Sequence, residues 1–142
     1  MNLFTLAMSL TVLANVVYHL CQKGIAPAAN PIASLIASYT IALVLALGCF
    51  SLLYPRESLF GAMRTLNAAS YVLSLGLVGL ELGFLLAYRA GWNLSVGALF
   101  SNVAVTLILI PIGILLYREP IGARKAIGIA FALTGLVLMS RR

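Results

Sequence analysis

Residues 94–117 read LSVGALFSNVAVTLILIPIGILLY, a run without one charged side chain. An α-helix rises 1.5 Å per residue, so about 20 apolar residues cross the roughly 30 Å hydrocarbon core of a bilayer. This run is long enough. Four more apolar runs flank it, at about residues 3–21, 31–54, 68–88 and 121–139. The expectation is an all-α, polytopic membrane protein: a single transmembrane domain of five helices with almost nothing outside the bilayer.

Composition supports this. The chain has 142 residues, 63% of them hydrophobic and only 8% charged, against about 25% charged in an ordinary soluble domain. The mean hydropathy of +1.10 points the same way. So few charges cannot cover a soluble globule of this size, so the solvent over most of the surface is lipid. The net charge of +6 does not indicate nucleic acid. The basic residues stand singly or in pairs at the ends of apolar runs, where Lys and Arg anchor helices at headgroups, not in one stripe. Cys21 and Cys49, with a single His in the chain, make no zinc or haem pattern. The first run has no basic residue before Lys23, so it reads as a retained helix and not a secretory leader.

The connections carry turn chemistry. Gly24, Pro27, Asn30 and Pro31 separate the first two spans, and Pro31 suits a first helical turn. Residues 55–67 form the longest polar stretch, with Arg56, Glu57 and Arg64. Gly91-Trp92-Asn93 and Glu119-Pro120 are the later breaks. Pro111 lies inside the fourth span, with Gly113 close behind: a static kink or a hinge. With five spans, Arg56, Arg64, Arg118, Arg124 and Lys125 fall on one side of the membrane. Lys23, Arg89, Arg141 and Arg142 fall on the other. Five against four is almost no bias for the positive-inside rule, so copies inserting both ways are compatible with the sequence, as is a slight preference for an inside N-terminus.

One acid lies deep in a span. Glu81 is three residues past the centre of the run at 68–88, about 4.5 Å along the axis. A carboxyl at that depth costs several kcal/mol unless it is protonated, paired or hydrated, which is why intramembrane acids mark proton or cation sites. Arg89, eight residues on, is about 12 Å further along the helix, too far for an intrahelical pair. Ser74, Glu81 and Tyr88 recur every seven residues and share a face. The first span carries Thr11, Asn15, Tyr18, His19 and Gln22, and the fourth Ser95, Asn102 and Thr106. Together these can line a polar cavity between helices, although such side chains also simply bond to neighbouring helices. Gly128, Ala132 and Gly135 in the fifth span, and Ser34, Ser38 and Ala42 in the second, form rows of small residues suited to a dimer face or to packing within one subunit.

No enzyme constellation is present: no nucleophile–base order, no phosphate loop and no metal-ligand cluster, hence no cofactor. Glu57 and Glu119 sit in loops or at span ends.

The segment LAYRAGWNLSVGALFSNVAVTLILIPIGILLYREPIGARKAIGIAFALTGLVLM, residues 86–139, resembles the EamA-like branch of the drug/metabolite transporter superfamily. The resembling elements are a span with a central Pro, an ending at Glu119, a short basic turn and a last helix of the form IGIAFALTGLVLM. The resemblance implies one five-helix repeat of a ten-helix, inverted-repeat transporter. It implies a bacterial cytoplasmic (inner) membrane location and an antiparallel homodimer rebuilding the carrier, with a parallel or mixed dimer still open. The four-helix small multidrug resistance proteins are related. Their first helix carries an essential glutamate, and in the corresponding stretch LANVVYHLCQK the position is Asn15. That departure removes their proton site and leaves Glu81 to supply one.

The leading expectation is a small-molecule transporter of drugs or metabolites. Glu81 would take a proton or cationic group, and Asn15, Tyr18, His19, Tyr88 and Asn102 would line the path. The alternatives are a lipid-carrier flippase using Arg89 for a headgroup phosphate, a non-transporting accessory subunit, and an ion channel.

Overall fold

The computed structural model describes residues 2–118 and 122–140, without the side chains at 123, 125, 139 and 140. The break at Glu119-Pro120, the start of the expected fifth span at Ile121, and Arg141 and Arg142 lie outside the described residues. The elements are α1 (Leu3–Gly24), α2 (Pro31–Leu53), α3 (Leu59–Met63), α4 (Ala68–Arg89), α5 (Leu94–Tyr117) and α6 (Ala123–Ser140).

The chain is all-α, and α1, α2, α4 and α5 are each long and apolar enough to cross a membrane. They mark a multi-pass membrane protein. The fifth expected span corresponds to α6, which is 18 residues long. Ala126–Leu138 is an apolar stretch within it, and Arg124 and Lys125 fall in its first turn. Among the described residues, four helices qualify by length and composition, and the fifth expected span overlaps α6.

Local chemistry sets the helix ends. Asn30 Oδ1 accepts from the backbone N–H of Ile32 at 2.9 Å and of Ala33 at 3.1 Å, and Pro31 opens α2. This satisfies two of the donors that a helix start leaves open. Pro55 follows directly on Tyr54, where α2 stops. Within the stretch at 55–67, Ser58 Oγ accepts from Gly61 N–H at 3.4 Å and starts the one-turn helix α3. Asn67 Oδ1 accepts from Ser70 N–H at 3.3 Å at the start of α4. Gly91, at φ +94°, turns the chain between α4 and α5 in a conformation that suits a residue without Cβ. The helical run of α5 continues through Pro111 and ends at Arg118, which adopts φ 52° and ψ 34° with its N–H on Gly113 O.

The chain forms two compact units. One comprises Met1–Leu20 and Ala90–Arg142, and in it α5 packs on α6. The other is Cys21–Arg89, in which α2 packs on α4. Their buried apolar side chains are Val103 and Leu136 in the first, and Leu35, Leu85 and Tyr88 in the second. Most other large apolar residues are open: Leu45 is 64% exposed, Leu75 75% and Leu115 78%. In water so much contiguous apolar surface is an aggregation liability; against acyl chains it is the expected finish of a membrane helix.

Five Ser and Thr hydroxyls on the helices are satisfied at home. Thr11, Thr40, Ser51, Thr106 and Thr134 each donate to the carbonyl four residues earlier, at 2.7–3.0 Å. Such bonds let a hydroxyl face lipid at little cost.

Candidate functional site

In the first unit, α1 and α5 flank an open-sided cavity of about 360 Å³. From α1 it is lined by Thr11, Asn15 and His19, spaced four apart, with Val12, Val16 and Leu20 beside them. From α5 come Ser95 and Asn102, seven apart, with Leu94 and Ala98. Spacings of four and seven keep side chains on one helix face, so each helix presents one polar strip within an apolar surround. The hydroxyl of Thr11 is taken up by Ala7 O. Polar character in the cavity therefore rests on Asn15, His19, Ser95 and Asn102. His19 is buried, and its ring meets Tyr18 edge-on at 5.2 Å between centroids. Tyr18 itself is not among the lining residues, nor is Thr106, whose hydroxyl is spent on Asn102 O.

Glu81 and Tyr88 belong to the second unit. Glu81 is half-buried on α4, and the Gln22 side chain at the end of α1 donates from Nε2 to the Glu81 backbone carbonyl at 3.5 Å, a long bond. Tyr88 is buried, stacked on Phe84 at 5.8 Å, with Lys23 Nζ 5.6 Å from its ring centroid. At that range the ammonium and the ring quadrupole attract. Along the row Ser74, Glu81, Tyr88, burial rises from exposed through half-buried to buried.

Arg89 closes this unit. Its Nη2 donates to Ala29 O at 2.7 Å and to Ala26 O at 3.3 Å, bonding α4 to the loop before α2. A guanidinium so engaged is committed to the fold, which weighs against its use for a lipid phosphate.

Tyr39, on α2, is a residue the sequence reading does not pick out. Its hydroxyl oxygen is buried and has no hydrogen-bond partner among the described residues, and its helix packs on α4, which carries Glu81. The available signal was register: Tyr39 follows Pro31 by eight residues, and Glu81 precedes Arg89 by eight.

The small-residue row on α6 is open. A Cβ built at Gly128 or Gly135 meets nothing within 4 Å, so neither glycine is required by close packing within the chain. Ala132 between them is exposed.

Fold and geometry together define an all-α, multi-pass membrane protein with a partly polar cavity between two of its long helices. No family model, no curated protein and no solved structure matches the chain.

Proposed function

We propose that the chain is a small-molecule transporter and that the α1–α5 cavity is part of the substrate path. The observation that carries this reading is the convergence of Asn15, His19 and Asn102 on one cavity of about 360 Å³. A mainly apolar wall with a few placed polar groups is the mixture that small-molecule sites use, and the volume is at the small end of their range. It suits a compact molecule with an apolar body and one or two hydrogen-bonding groups, a drug or a metabolite. Glu81, the one acid deep in a span, takes a proton or cationic group and couples its movement to that of the substrate.

With α6 as a fifth span, the chain acts as one EamA-like five-helix repeat. A second copy inserted in the opposite sense completes a ten-helix carrier that works by alternating access in a bacterial cytoplasmic membrane. The five-to-four division of basic residues and the open Gly128–Gly135 row support that pairing. The flippase reading needs Arg89 for a phosphate, and the bonds of Arg89 to Ala26 and Ala29 favour the carrier instead.

The test is flux in liposomes. Purified protein is reconstituted with an entrapped pH-sensitive dye, and amphipathic dyes, cationic and neutral, are added under an imposed pH gradient. Dye movement coupled to proton movement is expected, lost in Glu81→Gln and strongly reduced in Asn15→Leu/Asn102→Leu. Unchanged flux in Glu81→Gln removes the coupling role; unchanged flux in the double variant removes the path.

A further inference from the structure

Glu81 does not stand alone at its depth. The Arg89–Ala29 bond puts the C-terminal end of α4 beside the N-terminal end of α2, so the two packed helices run antiparallel. From that shared end, Tyr39 is eight residues into α2 and Glu81 eight residues back along α4. At 1.5 Å per residue both lie about 12 Å in, on the same level. The Tyr39 hydroxyl is buried there without a hydrogen-bond partner among the described residues. A buried hydroxyl left unsatisfied is costly, and such a group calls for a partner that arrives in another state of the protein.

We propose that the Tyr39 hydroxyl on α2 is the hydrogen-bond partner of the Glu81 carboxyl on α4, making a two-residue proton site at the α2–α4 contact. The proposal rests on the reading of Glu81 as a proton-taking group and adds Tyr39 to it as a positioning residue. When Glu81 passes its proton to water, the carboxylate accepts the Tyr39 O–H. When the carboxyl is protonated, its carbonyl oxygen accepts the same Tyr39 O–H. Tyr39 keeps its own proton throughout.

The chemistry favours a proton over a metal ion. Hard cations take six or more oxygen ligands, and the described residues contain no group of three or more His, Cys, Asp or Glu side chains. The other charged or titratable groups near Glu81 in this unit have contacts of their own. Lys23, from the end of α1, lies over the Tyr88 ring, and Arg89 is bonded to Ala29 O. α2 contributes no charged residue; its titratable side chains are Tyr39 and Cys49, and Cys49 is exposed.

The experiment is infrared difference spectroscopy over a pH titration of the purified protein in lipid nanodiscs, with folding checked by circular dichroism. A protonated-carboxyl C=O band is expected that disappears in Glu81→Gln and moves to higher frequency in Tyr39→Phe, as a carbonyl losing a hydrogen bond does. A band that is lost in Glu81→Gln but unmoved in Tyr39→Phe overturns the pair while leaving the proton reading intact. If Glu81→Gln removes no band, both fail. Should Tyr39→Phe not fold, cysteines at 39 and 81, with Cys21 and Cys49 changed to Ala, are treated with a short bis-maleimide. Linkage within one chain supports the juxtaposition, and its absence in folded protein overturns it.

Discussion

Arg89 Nη2 donates to the carbonyl oxygen of Ala29 at 2.7 Å, fastening the last residue of α4 to the residue before the Asn30 cap of α2. A hydrogen bond to a charged donor contributes about 1.5–3 kcal/mol. Arg89→Ala is therefore expected to lower stability by about 2 kcal/mol, read as a lower midpoint of thermal unfolding in detergent. Arg89→Lys is expected to recover only part of this, because the shorter lysine side chain stops short of the Nη2 position that serves both carbonyls. With Nη2 engaged by the two carbonyls, binding of anionic lipid to folded Arg89→Ala should equal that of the wild type. Loss of such binding would instead support the flippase reading.

The polar strips of the cavity separate two kinds of residue. Asn102 lines it, while Thr106, one turn on, spends its hydroxyl on Asn102 O at 2.7 Å. Asn102→Leu is expected to lower dye flux in liposomes at least about tenfold, equivalent to about 1.4 kcal/mol. Thr106→Val should leave flux within about twofold, because that hydroxyl faces its own helix and not the cavity. Equal losses in the two variants would place the path elsewhere on α5.

Arg118 ends α5 in the left-handed region at φ 52°, the one positive φ outside glycine among the described residues. An L-residue there bears about 1–2 kcal/mol that glycine does not, partly offset by the greater freedom of glycine when unfolded. Arg118→Gly is expected to raise stability modestly, by less than about 1 kcal/mol. Arg118→Val should lower it by at least as much, since β-branching worsens the clash. Unfolding midpoints of the two variants, compared side by side, check this.

Much of the fold was legible because lipid imposes a simple rule. An uncharged run such as 94–117 has no soluble use at that length, and α5 occupies those residues. Asn30-Pro31 and Tyr54-Pro55 are local signals, and α2 starts and stops at them. The one-turn α3 escaped because its polar surroundings mask a single Ser58 cap. For the candidate site, helical spacing puts Asn15 and His19 on one face, but which helix meets that face is a tertiary fact. So is the packing of α2 on α4, which no period within α2 reveals. Hydroxyl residues misled most: Thr106 looks like a cavity residue by position, and its backbone bond is visible only in three dimensions.

The central claim, that a second inverted copy completes the carrier, is tested most directly by the topology of the chain in cells. Single cysteines at Asn2 and Glu57, in a background with Cys21 and Cys49 changed to Ala, are probed with a membrane-impermeant thiol reagent before and after lysis. The account predicts that each is labelled in part from outside, with the remainder reached only after lysis, because copies insert both ways. Labelling of each site from one side alone would contradict the antiparallel homodimer.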